Sequence, residues 1–325
     1  MNHIRALFFG AASLALLLAF SCASAPEKAP APEPAPVQVA PEPVPAPVPE
    51  PVAVAPAPEP APVPVEPVKV RKEREVAFKT PILLKATTFY PDGLVDETVV
   101  YKYDATLIRL VEKSTFDPAR IDPIERAVVE TSAAGLVTAE TTLDAEGRQK
   151  IRKEFVYDSK GLIISERLLD PKGQAQSSST YTYDDKGRKT EWKAFDAKGI
   201  LLVQTLYSYG DTDRVSVIEM KNAGGKATGS IKYESGDGGK KEKRSYLAAD
   251  GALQKYEVAA NENGRLKSLE VRRADGSLVQ TTVYEYGSLG EVVSSALTDG
   301  AGRLRERKTF DYAFREDKKT EVYYE

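Results

Sequence analysis

The residues of this sequence that could perform catalysis or bind a metal are few. A chain of 325 residues contains one histidine, His3, and one cysteine, Cys22. A mature protein that begins at Cys22 would contain no histidine and a single thiol. Such a protein has no Ser-His-Asp or Cys-His catalysis, no zinc finger and no imidazole metal site.

Neighbouring carboxylates are the remaining residues that could support hydrolysis. The pairs Asp184-Asp185 and Glu316-Asp317 would suit the two-carboxylate chemistry of a glycosidase. Turn formation and exposed faces rich in lysine and arginine explain these acids without catalysis. The segment Gly236–Gly239 could hold calcium, but it lacks the tandem glycine-aspartate pattern of calcium-binding β-rolls. The sequence has no phosphate-binding loop, dinucleotide fingerprint or nucleophile elbow, so we predict no enzyme, no cofactor and no metal site.

The N-terminus has the pattern of an export signal. Arg5 is followed by an uncharged apolar run over 6–20, which is shorter than the roughly 20 residues that a membrane-spanning helix needs. Ser21 precedes Cys22 directly. The segment resembles the signal of bacterial lipoproteins, in a relaxed form such as spirochaetes use, with Ala19 three residues before the cysteine.

The resemblance implies that 1–21 is removed and that Cys22 becomes the lipid attachment site, which would anchor the protein in a membrane. It further implies the outer membrane, because no aspartate follows the cysteine. The alternative is an ordinary signal peptide cleaved at Ala23 or Ala25.

A proline-rich segment follows. Residues 26–67 contain 17 of the 22 prolines of the chain, interleaved with alanine, valine and glutamate. Proline restricts itself and its preceding residue to extended conformations, so we predict a disordered, polyproline II-like linker over 22–80, closed by the mixed-charge stretch 69–75. We interpret it as a stiff spacer. A ligand for aromatic grooves of the SH3 type is the alternative.

The remaining chain is a repeat of β-hairpins. Tetrapeptides that begin with Asp or Asn and end with Gly, such as 144–147, 158–161 and 184–187, recur at steps of 12 and 14 residues. This spacing predicts hairpin turns of type I followed by a left-handed glycine. The stretches between them alternate apolar and charged residues, as in 148–157 and 303–312, which indicates antiparallel strands with one face in water. The repeating unit is a hairpin of 26 residues.

Aromatic residues occur in pairs, two residues apart, before every second turn. We expect them to pack on one face of the sheet; the alternative is a platform on which a ligand stacks. Trp192, the only tryptophan, is predicted to lie in the core rather than in a binding site. The pairs are Tyr101/Tyr103, Phe155/Tyr157, Tyr181/Tyr183, Tyr207/Tyr209, Tyr284/Tyr286 and Phe310/Tyr312.

The segments 154–166 and 180–192 resemble YD repeats of the RHS kind, and 285–293 resembles MORN-like hairpin repeats. The resemblance implies a curved β-structure and carries no toxin function. Between 94 and 134 the register of the repeat favours strands, although 122–135 would also suit a helix.

The predicted fold is therefore all-β: a meander of about eighteen strands over 81–325, curled into a partial barrel, tube or shell with the aromatic face inward. A transmembrane barrel is the alternative architecture. Lys153, Glu306 and Lys308 on the aromatic face argue against it, because a lysine at the bilayer midplane costs about 2–4 kcal/mol.

These patterns predict a non-enzymatic, lipid-anchored envelope protein that presents a binding or adhesion module for a protein, glycan or peptidoglycan ligand. The alternative is a structural scaffold or spacer in the periplasm. The net charge of −3 argues against nucleic acid as a partner.

Overall fold

The computed structural model describes residues 71–210 and 213–324. The chain divides into two units, Met1–Pro67 and Val68–Glu325, and the described residues belong to the second. Cys22, the signal segment and the linker up to residue 70 lie outside the described residues. Among the described residues, no helix is long and apolar enough to cross a membrane.

Eighteen strands account for almost all of the described chain, and the one helical element is a 3-10 turn at Asp237–Gly239. The strands are β1 (Arg71–Phe89), β2 (Val95–Tyr103), β3 (Leu110–Phe116), β4 (Glu125–Thr131), β5 (Val137–Asp144), β6 (Gln149–Tyr157), β7 (Ile163–Leu169), β8 (Ala175–Tyr183), β9 (Lys189–Asp196), β10 (Leu201–Tyr209), β11 (Val215–Asn222), β12 (Ala227–Gly236), β13 (Lys241–Ala248), β14 (Leu253–Glu262), β15 (Arg265–Arg273), β16 (Leu278–Tyr286), β17 (Val292–Asp299) and β18 (Leu304–Tyr324).

The sheet is an antiparallel meander that closes completely. Each strand pairs with its neighbours in sequence, and β1 pairs with both β2 and β18. The all-β meander is thus confirmed, whereas the expected partial barrel, tube or shell is a closed barrel. Closure removes the unpaired edges that an open sheet of this size would expose.

The predicted turns explain why the strands reverse where they do. In the turn after β8, Asp184 Oδ1 accepts hydrogen bonds from the backbone N–H groups of Lys186 and Arg188, at 3.0 and 2.9 Å. The N–H of Gly187 donates to the carbonyl of Asp184 at 2.9 Å, and Gly187 has φ of +75°. An L side chain is strained in that conformation, which is why glycine ends each of these tetrapeptides.

Two segments differ in detail from the sequence expectation. Residues 122–135 form β4 and a turn, so the helix considered for them is absent. The first strand begins at Arg71, inside the mixed-charge stretch expected to close the linker. Beyond the barrel rim, 71–83 of β1 and 312–324 of β18 continue as a two-stranded ribbon. Arg315 of the ribbon donates to the carbonyl of Leu107, in the β2–β3 turn, at 2.7 Å.

The barrel encloses no conventional hydrophobic core. Ala139 and Leu169 are the buried apolar residues among those described, and no large side chain there is fully buried. The fold therefore combines strand pairing and turn hydrogen bonds with side chains that are mostly half-buried.

Candidate functional site

Side chains on one face of the barrel wall are more buried than those on the other. Following the cross-strand register around the sheet places all six aromatic pairs on one face. Burial raises the pKa of the tyrosines of these pairs, among them Tyr181 and Tyr207, and it raises the pKa of Tyr312 to about 12. On the other face, Val156 and Leu202 are each 52% exposed. The aromatic face is therefore the concave, inner one, as the sequence predicted.

The second tyrosine of each pair, which lies nearer the turn, has a structural role. The hydroxyl of Tyr157, Tyr183 or Tyr209 donates to a main-chain carbonyl of the preceding strand, at 2.6 to 2.8 Å. The first aromatic residue of each pair makes no such bond with the main chain of the described strands and lines the lumen instead. This explains why the aromatic residues recur in pairs: one ring fixes adjacent strands to each other and the other forms the inner surface.

We define the aromatic wall as the aromatic side chains on the inner face of β6–β10. Trp192 lies directly opposite Tyr181 on one side and Thr205 on the other. It is half-buried rather than enclosed in a core. The members of the aromatic wall are Phe155, Tyr157, Tyr181, Tyr183, Trp192, Tyr207 and Tyr209.

Charged groups lie between these rings. The ammonium of Lys189 is 4.3 Å from the centre of the Tyr181 ring and 5.8 Å from that of Tyr207. Burial lowers the pKa of Lys189, and the contact with two electron-rich ring faces favours its charged form. The hydroxyl of Tyr181 donates to Glu166, which lies 3.9 Å from the ammonium of Lys153. The aromatic wall is thus both apolar and able to form hydrogen bonds.

The outer face consists largely of paired charges. Arg152 contacts Glu130 at 2.6 Å and Glu154 at 3.3 Å, and similar pairs join Lys193 to Glu191 and Arg272 to Glu270. A barrel in contact with lipid needs an outward apolar band about 25 Å tall. Among the residues of 71–210 and 213–324, the outer face with its paired charges provides no such band, and Lys153, Glu306 and Lys308 interrupt the inner face.

No family model matches this chain. No curated protein matches it either. Several solved structures resemble it. A porin-like protein from Bacteroides uniformis ATCC 8492 is 15% identical with a TM-score of 0.42, over 71% of this chain and 96% of that one. A porin-like protein from Bacteroides vulgatus ATCC 8482 is 9% identical with a TM-score of 0.28, over 72% and 99%. The TcdB2-TccC3 structure is 12% identical with a TM-score of 0.21, over 69% of this chain and 16% of that one. At TM-scores this low, these likenesses carry no conclusion about function.

One carboxylate of each pair considered for hydrolysis has a structural role. Asp184 caps its turn, and its backbone hydrogen bond with Arg188 lowers its pKa. Asp317 accepts two hydrogen bonds from Arg315, at 2.9 Å each, and another from Thr80. Both carboxylates are therefore held ionised and occupied. The described residues contain no group of three or more His, Cys, Asp or Glu placed to hold a metal ion.

A second inner-face cluster was missed by sequence reasoning. A cleft of about 400 Å³, which we call the Arg244 cleft, is lined on the inner face by Tyr233, Arg244, Glu257, Ala259 and Leu269. Arg244 pairs directly with Tyr233 and with Glu257 across neighbouring strands. The sequence contained one indication of this cluster: Arg244 and Glu257 lie on either side of the turn at Gly251, where a hairpin would bring them together. Without the register, an arginine and a glutamate in a charged sequence do not stand out.

Proposed function

We propose that this protein is a non-enzymatic module of the cell envelope that binds a ligand along the inner face of its barrel. The half-exposed aromatic wall carries this proposal. Aromatic residues that merely stabilised the sheet would be covered by other side chains, but none of the large side chains in 71–210 and 213–324 is fully buried. An exposed apolar surface of this kind is characteristic of binding sites.

The chemistry of the aromatic wall favours a glycan or peptidoglycan fragment. Ring faces such as those of Tyr181 and Trp192 offer flat apolar contact, while Glu166 and Lys189 beside them can pair with hydroxyl and amide groups. A few polar groups placed on an apolar surface are the usual composition of a small-molecule site.

We further propose that lipid modification of Cys22 anchors the module to the outer membrane and that the proline-rich linker holds it away from the bilayer. Support comes from the lipoprotein-like segment that ends in Ser21-Cys22 and from the proline content of 26–67. The test is fractionation and protease shaving of cells that express wild type or Cys22→Ala. We expect wild type in the membrane fraction and the variant in the soluble fraction; equal solubility would contradict the anchor.

A periplasmic scaffold is the second candidate function, and the outer face favours it. A surface of mutually paired charges, as at Arg152 and Glu130, resists nonspecific adhesion and would suit a spacer. The shaving experiment separates two placements. Cleavage in intact cells indicates display outward, and protection until the outer membrane is breached indicates a periplasmic location.

Binding is best tested through Trp192, because it is the only tryptophan and lies in the aromatic wall. We would titrate soluble peptidoglycan fragments against the full chain and follow tryptophan emission and its quenching by acrylamide. The proposal requires a saturable change that is lost in Tyr181→Ala and kept in Tyr256→Ala, which alters a tyrosine of the outer face. Unchanged emission and quenching at saturating fragment would refute it.

A further inference from the structure

The Arg244 cleft contains an arginine side chain whose position is fixed from two sides. Its Nη1 donates to Glu257 Oε2 at 3.0 Å, and its guanidinium carbon lies 5.2 Å from the centre of the Tyr233 ring. Glu257 is fixed in turn, because its Oε1 accepts from the Tyr246 hydroxyl at 2.9 Å. Such contacts reduce the entropy that an arginine loses when it binds a ligand.

The two members of this ion pair differ in exposure. The side chain of Glu257 is only 14% exposed and both of its oxygens are engaged, whereas that of Arg244 is 46% exposed. A guanidinium group has five N–H donors, so Arg244 retains donors that face the cleft. Glu257 therefore orients the guanidinium group of Arg244 while leaving some of its N–H donors available to a ligand.

The remaining lining restricts the kind of anion. Ala259 and Leu269 provide apolar contact. At the border of the cleft, Glu242 pairs with Arg214 and Glu234 with Lys243, so these groups balance one another. The charge of Arg244 is already offset by Glu257, so a ligand with one negative charge is accommodated more readily than a dianionic phosphate. A planar carboxylate matches the fork of donors of a guanidinium group, and it adds only one negative charge.

We propose that the Arg244 cleft binds a carboxylate that is carried by a ligand with an apolar or sugar body. Arg244 supplies the paired hydrogen bonds, and Tyr233 and Glu257 hold its plane. This inference rests on the proposed function, since it specifies the chemistry of one ligand site on the inner face of the barrel. The aromatic wall and the cleft are separate sites on that face, and each has its own test.

The test compares probes that differ in the carboxylate. N-acetylmuramic acid and N-acetylglucosamine share an N-acetylated sugar, and only the former carries a lactyl carboxylate. D-alanyl-D-alanine presents a peptide carboxylate instead. We would measure the affinity of the full chain for each probe by calorimetry. We expect N-acetylmuramic acid or D-alanyl-D-alanine to bind at least about tenfold more tightly than N-acetylglucosamine. The preferred probe then identifies a sugar or a peptide as the carrier.

Variants assign the affinity to the arginine. Arg244→Lys keeps the charge but loses the planar fork, and we expect it to weaken binding about tenfold. Arg272→Lys is the matched control: Arg272 forms a 2.8 Å pair with Glu270 on the outer face, and its replacement should leave the affinity unchanged. Glu257→Gln should weaken binding less than Arg244→Lys while the thermal midpoint is monitored for folding.

The outcomes separate the two proposals. The carboxylate site is overturned if wild type and Arg244→Lys bind the preferred probe equally, or if neither N-acetylmuramic acid nor D-alanyl-D-alanine binds more tightly than N-acetylglucosamine. If Trp192 still reports saturable binding in that case, lumenal binding survives without the cleft. If neither calorimetry nor Trp192 detects binding, both proposals are overturned.

Discussion

The hydroxyl of Tyr183 donates a 2.6 Å hydrogen bond to the carbonyl oxygen of Ile163, twenty residues earlier in the chain. This bond joins the end of β8 to the beginning of β7 at one rim of the barrel. The same relationship recurs in Tyr157–Val137, Tyr209–Lys189, Tyr286–Leu266 and Tyr312–Val292.

Removal of one of these hydroxyls should measurably destabilise the barrel. We expect Tyr183→Phe to lower the free energy of unfolding by about 1 kcal/mol, because a half-buried carbonyl loses this donor while the ring is retained. Urea denaturation followed by circular dichroism measures the change. Tyr256→Phe is the control, since Tyr256 lies on the outer face and makes no such bond within the described strands. Equal stability of the two variants would show that the bond contributes nothing.

The left-handed glycines should resist substitution. Gly187→Ala forces a side chain into a backbone with φ of +75°, and we expect a loss of about 1–2 kcal/mol in unfolding free energy. Gly224→Ala is the matched control. Gly224 is outside the left-handed region, and a Cβ there would meet Asn222 Oδ1 at an ordinary 3.5 Å. Both variants can be compared by thermal and urea midpoints; a larger loss for Gly224→Ala would contradict this explanation.

Acid should weaken the turn at Asp299. The backbone hydrogen bond with Arg303, assisted by the Arg303 and Arg305 side chains, lowers the pKa of Asp299 to about 2. A carboxylate whose pKa is depressed by folding stabilises the protein above its unfolded pKa near 3.9, and that contribution disappears as pH falls toward 2.

We therefore expect the difference in thermal midpoint between wild type and Asp299→Asn to shrink between about pH 4 and pH 2. Calorimetry at several pH values measures it. Asp185→Asn, at a turn position that caps no backbone N–H, serves as the control. A difference that stays constant down to pH 2 would assign the effect of Asp299 to something other than its charge.

The charge network on the outer face should depend on salt. Arg152 bridges Glu130 and Glu154 with its side chain 26% exposed, so we expect Arg152→Gln to cost at most about 1 kcal/mol at low ionic strength and less in 1 M NaCl. Arg120→Gln is the control, because the exposed Arg120 forms no ion pair with the described residues. An effect of Arg152→Gln that is independent of salt would indicate packing of the side-chain stem instead.

Because the strands are built from one repeating hairpin, the size of the barrel should follow the number of hairpins. Deletion of the 26 residues 158–183 removes β7 and β8 and places Tyr157 directly before the turn at 184–187. We expect a folded barrel of sixteen strands, with a smaller hydrodynamic radius in scattering and sedimentation. Deletion of 158–170 removes a single strand, so the first and last strands would run parallel and could not form the antiparallel pairing that closes the barrel. We expect this variant to fold less stably than the barrel of sixteen strands. If both deletions fold equally well, closure is not what stabilises the barrel.

Most of this architecture could be predicted because turn chemistry is local. The Asp-to-Gly tetrapeptides set the strand ends to within a few residues, and alternation in 148–157 showed which side chains share a face. Even the glycine-free segment 94–134 followed the repeat, since β-sheet pairing with neighbours overrode the helix-like pattern at 122–135.

Closure of the barrel and the location of the binding surfaces could not be predicted from the sequence. Whether β1 meets β18 depends on the twist accumulated over eighteen strands, which no single residue encodes. Trp192 was expected in a core because tryptophan is usually buried, but the barrel is wide enough to leave its inner face open. Arg244 acquires its role only when the register places Tyr233 and Glu257 on either side of it.

The pairing of β1 with β18 also affects how the chain must fold. From Arg71 to Leu83, β1 has β18 as its only ladder partner in the described chain, although β18 is made last. This part of β1 therefore remains unpaired until β18 has been synthesised. A contact of such high sequence separation should make folding slow and keep it from finishing during synthesis. A truncated chain that ends before β18 would present β1 and β17 as open edges to other chains, the situation in which strand-to-strand aggregation begins. The edges of the described sheet are thus protected from such pairing only when all eighteen strands are present.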